Sequence, residues 1–261
     1  MMMYEICAQT DQGRVRENNE DTVAFDAKTG LCLLADGMGG YNAGEIASGM
    51  AVAFINLELG YWLSQAGRQA SAREVRRMME ICVNNANHSI FNAARSQRDY
   101  EGMGTTLVAG IFQKDRLMLG HIGDSRCYRL RGQAFEQITK DHSLLQEQID
   151  ARLITPEQAR TSPNKNLITR ALGVEDSVLL DINEYRVELG DVYLMCSDGL
   201  SDMVRDSAMA AILGAADTLV QKAFKLVTAA NECGGRDNIS VVLAQAMDVS
   251  RRGLLSRMLG K

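Results

Sequence analysis

Two apolar runs in this chain end the same way. Residues 31–40, LCLLADGMGG, carry a buried-looking strand to Asp36 and Gly37, and residues 192–199, VYLMCSDG, carry another to Asp198 and Gly199. Further acidic residues stand at comparable boundaries: Glu20 and Asp21 ahead of TVAFD, Asp124 in the turn of GHIGDSR, and Asp237 in GRDNIS before the last apolar run. Asp-Gly is a common turn dipeptide and Asp a favoured cap, so any one of these reads as structural. Six acidic residues, each at a strand boundary, read as a site. Like charges gathered at one sheet edge repel and raise one another's pKa values. Their convergence therefore calls for a cation, and hard oxygen donors suit Mg2+ or Mn2+. A glycine directly after Asp36 leaves room for the backbone carbonyl to approach such an ion.

Other chemistries are poorly supported. The three histidines, His88, His121 and His142, are not at metal-ligand spacing. The six cysteines form no C-x-x-C pair and mostly sit in apolar runs, where a thiol behaves as a small hydrophobe. That pattern disfavours zinc and disulfides and fits a reducing, cytoplasmic setting. A net charge of −5 and a pI near 5.3 argue against a nucleic-acid surface. No secretory signal is expected at the N-terminus, and no stretch is expected to span a bilayer, since GMAVAFINLELGYWL is interrupted by Asn56 and Glu58.

The elements that must position the acidic residues follow from periodicity and turn signals. YEICAQTD, DTVAFD and LCLLAD read as strands. A helix follows, with Asn42-x-x-Glu45 as a capping box and Ile46, Met50, Ala53, Phe54 and Leu57 at helical spacing towards the core. A second helix opens at Ser71-x-x-Glu74 and points Val75, Met78, Met79, Cys82, Ile90 and Ala93 inward, with His88 a structural mid-helix residue. TTLVAGIF, RLMLGHIG, SRCYRLR and AFEQIT then predict an antiparallel meander, with Asp124 in a turn between two of its strands. Residues 141–170 are polar and helical, including Thr155-Pro156-Glu157-Gln158 as a helix start. Strands are expected at SVLLDINEYRV, DVYLMCS and NISVVLAQAM, and helices at 206–213 and 216–231. Runs such as LCLLA and VYLMC require cover on both faces. The expectation is an α+β fold, an αββα sandwich of two mainly antiparallel sheets flanked by helices.

Eight segments then resemble a known family, the metal-dependent PP2C-type (PPM) serine/threonine protein phosphatases. They are GRVRENNED, LLADGMGGYNAGEIAS, GMGTTLVA, GHIGDSRCYRLR, ITKDHSL, NLITRALG, CSDGLSD and GGRDNISVV, in family order across about 230 residues. The ADGMGG form resembles bacterial members. The resemblance implies a catalytic domain over 1–248 and a separate basic tail over 249–261. It implies that Asp36 bridges two Mn2+ or Mg2+ ions, with the Gly37 carbonyl as a further ligand of the first and Asp198 and Asp237 as ligands of the second. Glu20 and Asp21 match residues that hold metal-bound water. Asp124, with Asp198, matches the ligands of a third, weaker ion, and Arg16 matches the arginine that grips the substrate phosphate.

The implied reaction is hydrolysis of phosphoserine and phosphothreonine on proteins, opposing a bacterial Ser/Thr kinase. Two cations about 3.5–4 Å apart can share a water, lower its pKa and aim it at phosphorus. Where eukaryotic relatives commonly carry His after Asp-Gly, this chain has Met38. Methionine donates no proton, so a metal-bound water is expected to protonate the leaving alkoxide, with His142 an alternative better suited to ordering its loop. The 142–170 segment corresponds to the family's flap and is expected to tune substrate choice. The alternatives are a catalytically silent phosphoprotein binder of the same fold, or a metal-dependent phosphodiesterase or nuclease. A monomer is expected. The tail SRRGLLSRMLGK could touch a membrane as a short amphipathic helix, but a loosely packed terminus is the favoured reading.

Overall fold

A computed structural model describes residues 2–40, 43–66, 69–155, 158–159, 162 and 167–248. The Asn42 cap, Pro156, Glu157 and the 249–261 tail lie outside the described residues. The strands are β1 (Met2–Asp11), β2 (Asp21–Asp26), β3 (Leu31–Met38), β4 (Gly104–Thr105), β5 (Leu107–Gln113) and β6 (Arg116–Ile122), then β7 (Arg126–Arg131), β8 (Ala134–Gln137), β9 (Asp181–Arg186), β10 (Val192–Cys196) and β11 (Ile239–Asp248). The α-helices are α1 (Ala43–Ala66), α2 (Ala72–Ser96), α3 (Leu144–Asp150), α4 (Asp198–Ser201), α5 (Asp206–Gly214) and α6 (Leu219–Glu232).

The strands form two antiparallel sheets. One has the order β1-β11-β10-β7-β8; the other runs β2-β3-β5-β6-β9, with the short β4 paired to β3. Alternation along each strand then feeds three apolar layers. On β3, Leu31, Leu33 and Ala35 pack against α1 and α2, while Cys32 and Leu34 enter the space between the sheets. On β10, Leu194 and Cys196 face α4, α5 and α6, while Tyr193 and Met195 enter the same central layer. Both faces of both sheets are thus covered, as the continuous apolar runs require, and the architecture is the expected αββα sandwich.

Several expectations change. The strands at 104–137 are not one meander: β5–β6 and β7–β8 are hairpins, but they lie in different sheets. The Gly123–Ser125 turn that carries Asp124 is a crossing between the two layers. Turn residues signal a reversal; they do not encode which sheet receives the next strand. Strand β9 starts at Asp181, not Ser177, and the last long helix starts at Leu219 behind a Thr218–Gln221 capping box, not at 216. His88 lies within α2 as expected, and it is exposed, with its Nε2 3.8 Å from Asp176 Oδ1.

The face assigned to α1 is only partly right: Met50 and Phe54 pack against the core as expected, but the face is centred elsewhere. Ala47, Ala51, Ile55, Leu59 and Leu63 are buried, whereas Ile46, Ala53 and Leu57 are exposed. The helix is apolar on nearly every side, so periodicity selects no face. Small Gly44, Ala47, Ser48 and Ala51 let its axis approach the sheet, and that closeness decides the outcome. By length and composition α1 could cross a membrane, contrary to the sequence expectation; here its buried face is spent on the β3–β5 sheet. Helix α2 behaves as expected, with the Ser71–Glu74 capping box formed and Val75, Met79, Cys82 and Ile90 buried. The Thr155–Gln158 start also forms, Thr155 N donating to Gln158 Oε1 at 2.8 Å and Gln158 N to Thr155 Oγ1 at 3.3 Å.

Candidate functional site

Five aspartates meet at one end of the sandwich. Asp21 and Asp36 are direct partners across the β2–β3 ladder, a like-charge pairing that ordinarily destabilises a sheet. Asp198 follows β10 and opens α4, and Asp237 lies two residues before β11, its neighbour in the other sheet. Asp124 stands on the turn between the layers. Each sheet thus contributes two aspartates, and the crossing contributes a fifth.

Their charges act on one another. Burial, then Asp21, Asp198, Asp124 and Asp237, push Asp36 well above the usual carboxylate range. Burial, then Asp124 and Asp237, do the same to Asp198. Asp21 is pushed up to about 6, chiefly by burial and against a 2.7 Å hydrogen bond from Ser197 Oγ. Burial and then Asp141 push Asp124 up to about 6. Among the described residues no three His, Cys, Asp or Glu side chains are drawn into a ready-made coordination cage; the aspartates face one another at charge-interaction range. Arg16 Nη2 lies 2.7 Å from Asp237 Oδ2, and Glu20 and Asp198 add to the negative field that raises its basicity.

The two Asp-Gly glycines serve the backbone. A Cβ on Gly37 would fall 2.1 Å from the Gly44 carbonyl oxygen and 2.6 Å from that of Glu20. A Cβ on Gly199 would fall 2.0 Å from the Asn238 carbonyl oxygen. Each glycine therefore lets one acid-bearing strand end press against another: Asp36 against the Glu20–Asp21 segment, and Asp198 against Asp237. Close backbone packing is thus a requirement for glycine at both positions that the sequence did not show, beside the space for a carbonyl expected at Gly37.

Neutral side chains that the sequence did not single out hold this arrangement. The Asp36 amide donates to Thr106 Oγ1 at 3.0 Å, and Thr105 Oγ1 donates to the Asp36 carbonyl at 2.9 Å. Ser197, between the sheets, binds Asp21 through its hydroxyl and receives the Ser240 amide at 3.0 Å. Asn238 accepts the Glu20 amide at 2.8 Å and donates to the carbonyls of Gln12 and Asn18, fixing the loop that carries Arg16. The available signal for Ser197, Asn238 and Ser240 was their closeness to an acid in CSDG and RDNIS; Thr105 and Thr106, in GTT, have no acid beside them in the sequence.

His142 is committed to its loop. Its Nδ1 accepts the Gly123 amide at 3.0 Å, its Nε2 lies 3.1 Å from Asp181 Oδ2, and burial lowers its pKa. His121, a buried strand residue, has its pKa lowered to about 4 by burial, and its Nε2 lies 3.0 Å from the Ser125 carbonyl. Met38 lines a cleft of about 410 Å³ with Ile168, Arg170, Val174 and Leu179.

A family model, Protein phosphatase 2C, matches residues 9–243. The serine/threonine phosphatase stp of Listeria monocytogenes is 38% identical over 94% of this chain and 96% of its own length. The serine/threonine protein phosphatase PstP of Mycobacterium tuberculosis is 40% identical over 95% of this chain, which spans 46% of that longer protein. Crystal structures of PstP superpose with a TM-score of 0.86 over 94% of this chain, and of 0.83 over 95% for its catalytic domain in complex with two manganese ions. The matched region runs from β1 to β11 and takes in all five aspartates, Glu20 and Arg16. On that extent of agreement, in sequence and in fold, the chain belongs to the protein phosphatase 2C family.

Proposed function

We propose that this chain is a metal-dependent protein serine/threonine phosphatase that hydrolyses phosphoserine and phosphothreonine monoesters. The observation that carries the proposal is the convergence of five aspartates from both sheets with their charges opposed. Their donor set is all oxygen, the pKa values of four are raised, and Asp21 Oδ1 is buried with no hydrogen-bond partner. Such a cluster fits Mn2+ or Mg2+, which would replace protons as the neutralising charge.

In this reading Asp36, Asp198 and Asp237 hold a pair of ions, helped by the Gly37 carbonyl, with Glu20 and Asp21 ordering the water around them. Asp124 and Asp198 serve a third ion. The bound pair would supply Lewis acidity for attack of water on phosphorus. Arg16 offers parallel N–H donors to two phosphate oxygens, exchanging its contact with Asp237 for the substrate. Met38 donates no proton, and both ring nitrogens of His142 are engaged, so neither supplies the acid for the leaving alkoxide. Relatives named as serine/threonine phosphatases support the substrate class. Opposition to a Ser/Thr kinase is the finer part of the proposal.

Hydrolysis of an aryl phosphate and a phosphothreonine peptide should require added Mn2+ and stop with chelator. Asp36→Asn and Asp198→Asn should each lower turnover by about 100-fold or more while far-UV circular dichroism is unchanged. Near-normal turnover in either variant would overturn the site. Phosphoproteomics of a deletion strain should show phosphoserine and phosphothreonine accumulating on the targets of a kinase.

A further inference from the structure

The Gly123–Ser125 crossing is tied to the root of the 142–170 segment by one side chain. The Gly123 amide donates to His142 Nδ1 at 3.0 Å, and the His142 amide donates back to the Gly123 carbonyl at 2.8 Å. The His142 carbonyl accepts the Thr169 amide at 2.9 Å, the Leu144 amide donates to the Leu167 carbonyl at 2.9 Å, and Ser143 and Ile168 form a β-bridge. His142 thus stands where the segment leaves the sandwich and where it returns. On the far side of the ring, Asp181 receives Arg170 Nη1 at 2.8 Å and faces Nε2 at 3.1 Å.

The remainder of the turn is packed against the site. Gly123 has φ of +99°, and a Cβ there would meet Thr106 Cγ2 at 2.6 Å. Ser125 Oγ lies 2.7 Å from Thr106 Oγ1, which receives the Asp36 amide. The Arg126–Asp141 ion pair, with contacts of 2.7–3.1 Å, joins the residues flanking turn and root once more. A Gly amide that donates to Nδ1 requires that nitrogen to be unprotonated. At the other end Nε2 lies 3.1 Å from Asp181 Oδ2 and 3.0 Å from Arg170 Nη1, so the ring is held from both sides.

We propose that His142 is a positioning residue: its Nδ1 acceptor clamps the turn that carries Asp124 to the root of the 142–170 segment. Cation binding at Asp124 and order at the segment's root are thereby coupled. This rests on the reading of Asp124 as an oxygen donor to a third cation, and the test separates the two ideas.

His142→Ala removes the strut; His142→Asn keeps an acceptor near the Nδ1 position. His142→Ala should raise the Mn2+ concentration for half-maximal activity by about tenfold at little changed saturating turnover, and His142→Asn should restore it. In metal-free protein, hydrogen exchange should show the Gly123, Leu144 and Thr169 amides losing protection in His142→Ala and regaining it in His142→Asn. If His142→Ala fails to fold, His142→Gln, which lacks an acceptor at the Nδ1 position, takes its place. Equal damage from His142→Asn and His142→Ala, or retained Gly123 protection in His142→Ala, would overturn the clamp. Asp124→Asn should raise the Mn2+ requirement yet keep Gly123 protected; an unchanged requirement would overturn the reading of Asp124, while the exchange data would still decide the clamp.

Discussion

At the scale of single residues, Asp21, Asp36, Asp124 and Asp198 are tuned against their own ionisation. Asp21 and Asp124 are pushed from the ordinary 3.8 to about 6, so the folded state retains protons that the unfolded chain releases between about pH 4 and pH 6. Stability of metal-free protein should therefore fall as pH rises through that window, each group contributing at most about 1.4 kcal/mol per pH unit. Asp181 and Asp191 are lowered instead, and their stabilisation is lost only below about pH 4. Thermal unfolding in chelator across pH 4–7 checks the sign; a melting temperature that climbs with pH would contradict it. The adjacent glycines make a second claim at this scale. Gly199→Ala puts a Cβ about 2.0 Å from a backbone oxygen that cannot swing aside. It should cost about 1–3 kcal/mol and reduce turnover, as read by urea unfolding and phosphatase assay.

At the scale of elements, strand ends aim the acids and helices hold the strands. Helix α1 makes the point because sequence and structure disagree about its inner face. Leu59 is fully buried against the sheet, and Leu57, two positions earlier, is 73% exposed. Leu59→Ala should cost about 2–5 kcal/mol, whereas Leu57→Ala should stay within about 0.5 kcal/mol. Equal costs in denaturant titrations would mean that the helix is rotated from the position described. Between α1 and the site, Ser48 links helix to strand by donating to the Glu20 carbonyl at 2.6 Å and lying 2.9 Å from Thr22 Oγ1. A rotation of the helix would be felt at the acids.

Across the whole molecule, the two sheets adhere through a layer that includes Leu34, Val108, Phe112, Leu119, Tyr193 and Val242, yet at one end they bring like charges together. Apolar burial holds that end closed against repulsion. A cation that binds only the folded state would convert the repulsion into a clasp between layers. Mn2+ at 100 times its dissociation constant should add about 2.7 kcal/mol to stability. In chelator, Asp36→Asn should be more stable than the parent chain, because it removes the most surrounded charge. Calorimetry of both proteins with and without Mn2+ tests this, and a less stable Asp36→Asn in chelator would count against it.

Local chemistry was sufficient to reveal most of this from the chain alone. Alternation and turn residues marked the strands, a capping box at Ser71 and an N-cap at Thr155 marked helix starts, and uninterrupted apolar runs required a sandwich with cover on both sides. Six acid residues at strand ends marked the candidate site by their number and order, because any one of them alone reads as a turn or cap residue. Three matters were decided only by tertiary packing. The β6–β7 turn crosses between sheets because sheet membership depends on distant partners, which a turn does not encode. The inner face of α1 was chosen by how closely small side chains let it approach the sheet, since its hydrophobicity is nearly uniform around the axis. The supports Ser197, Thr106 and Asn238 gained their roles from neighbours up to 226 residues away, and a neutral polar residue carries no local sign of the partner it will meet.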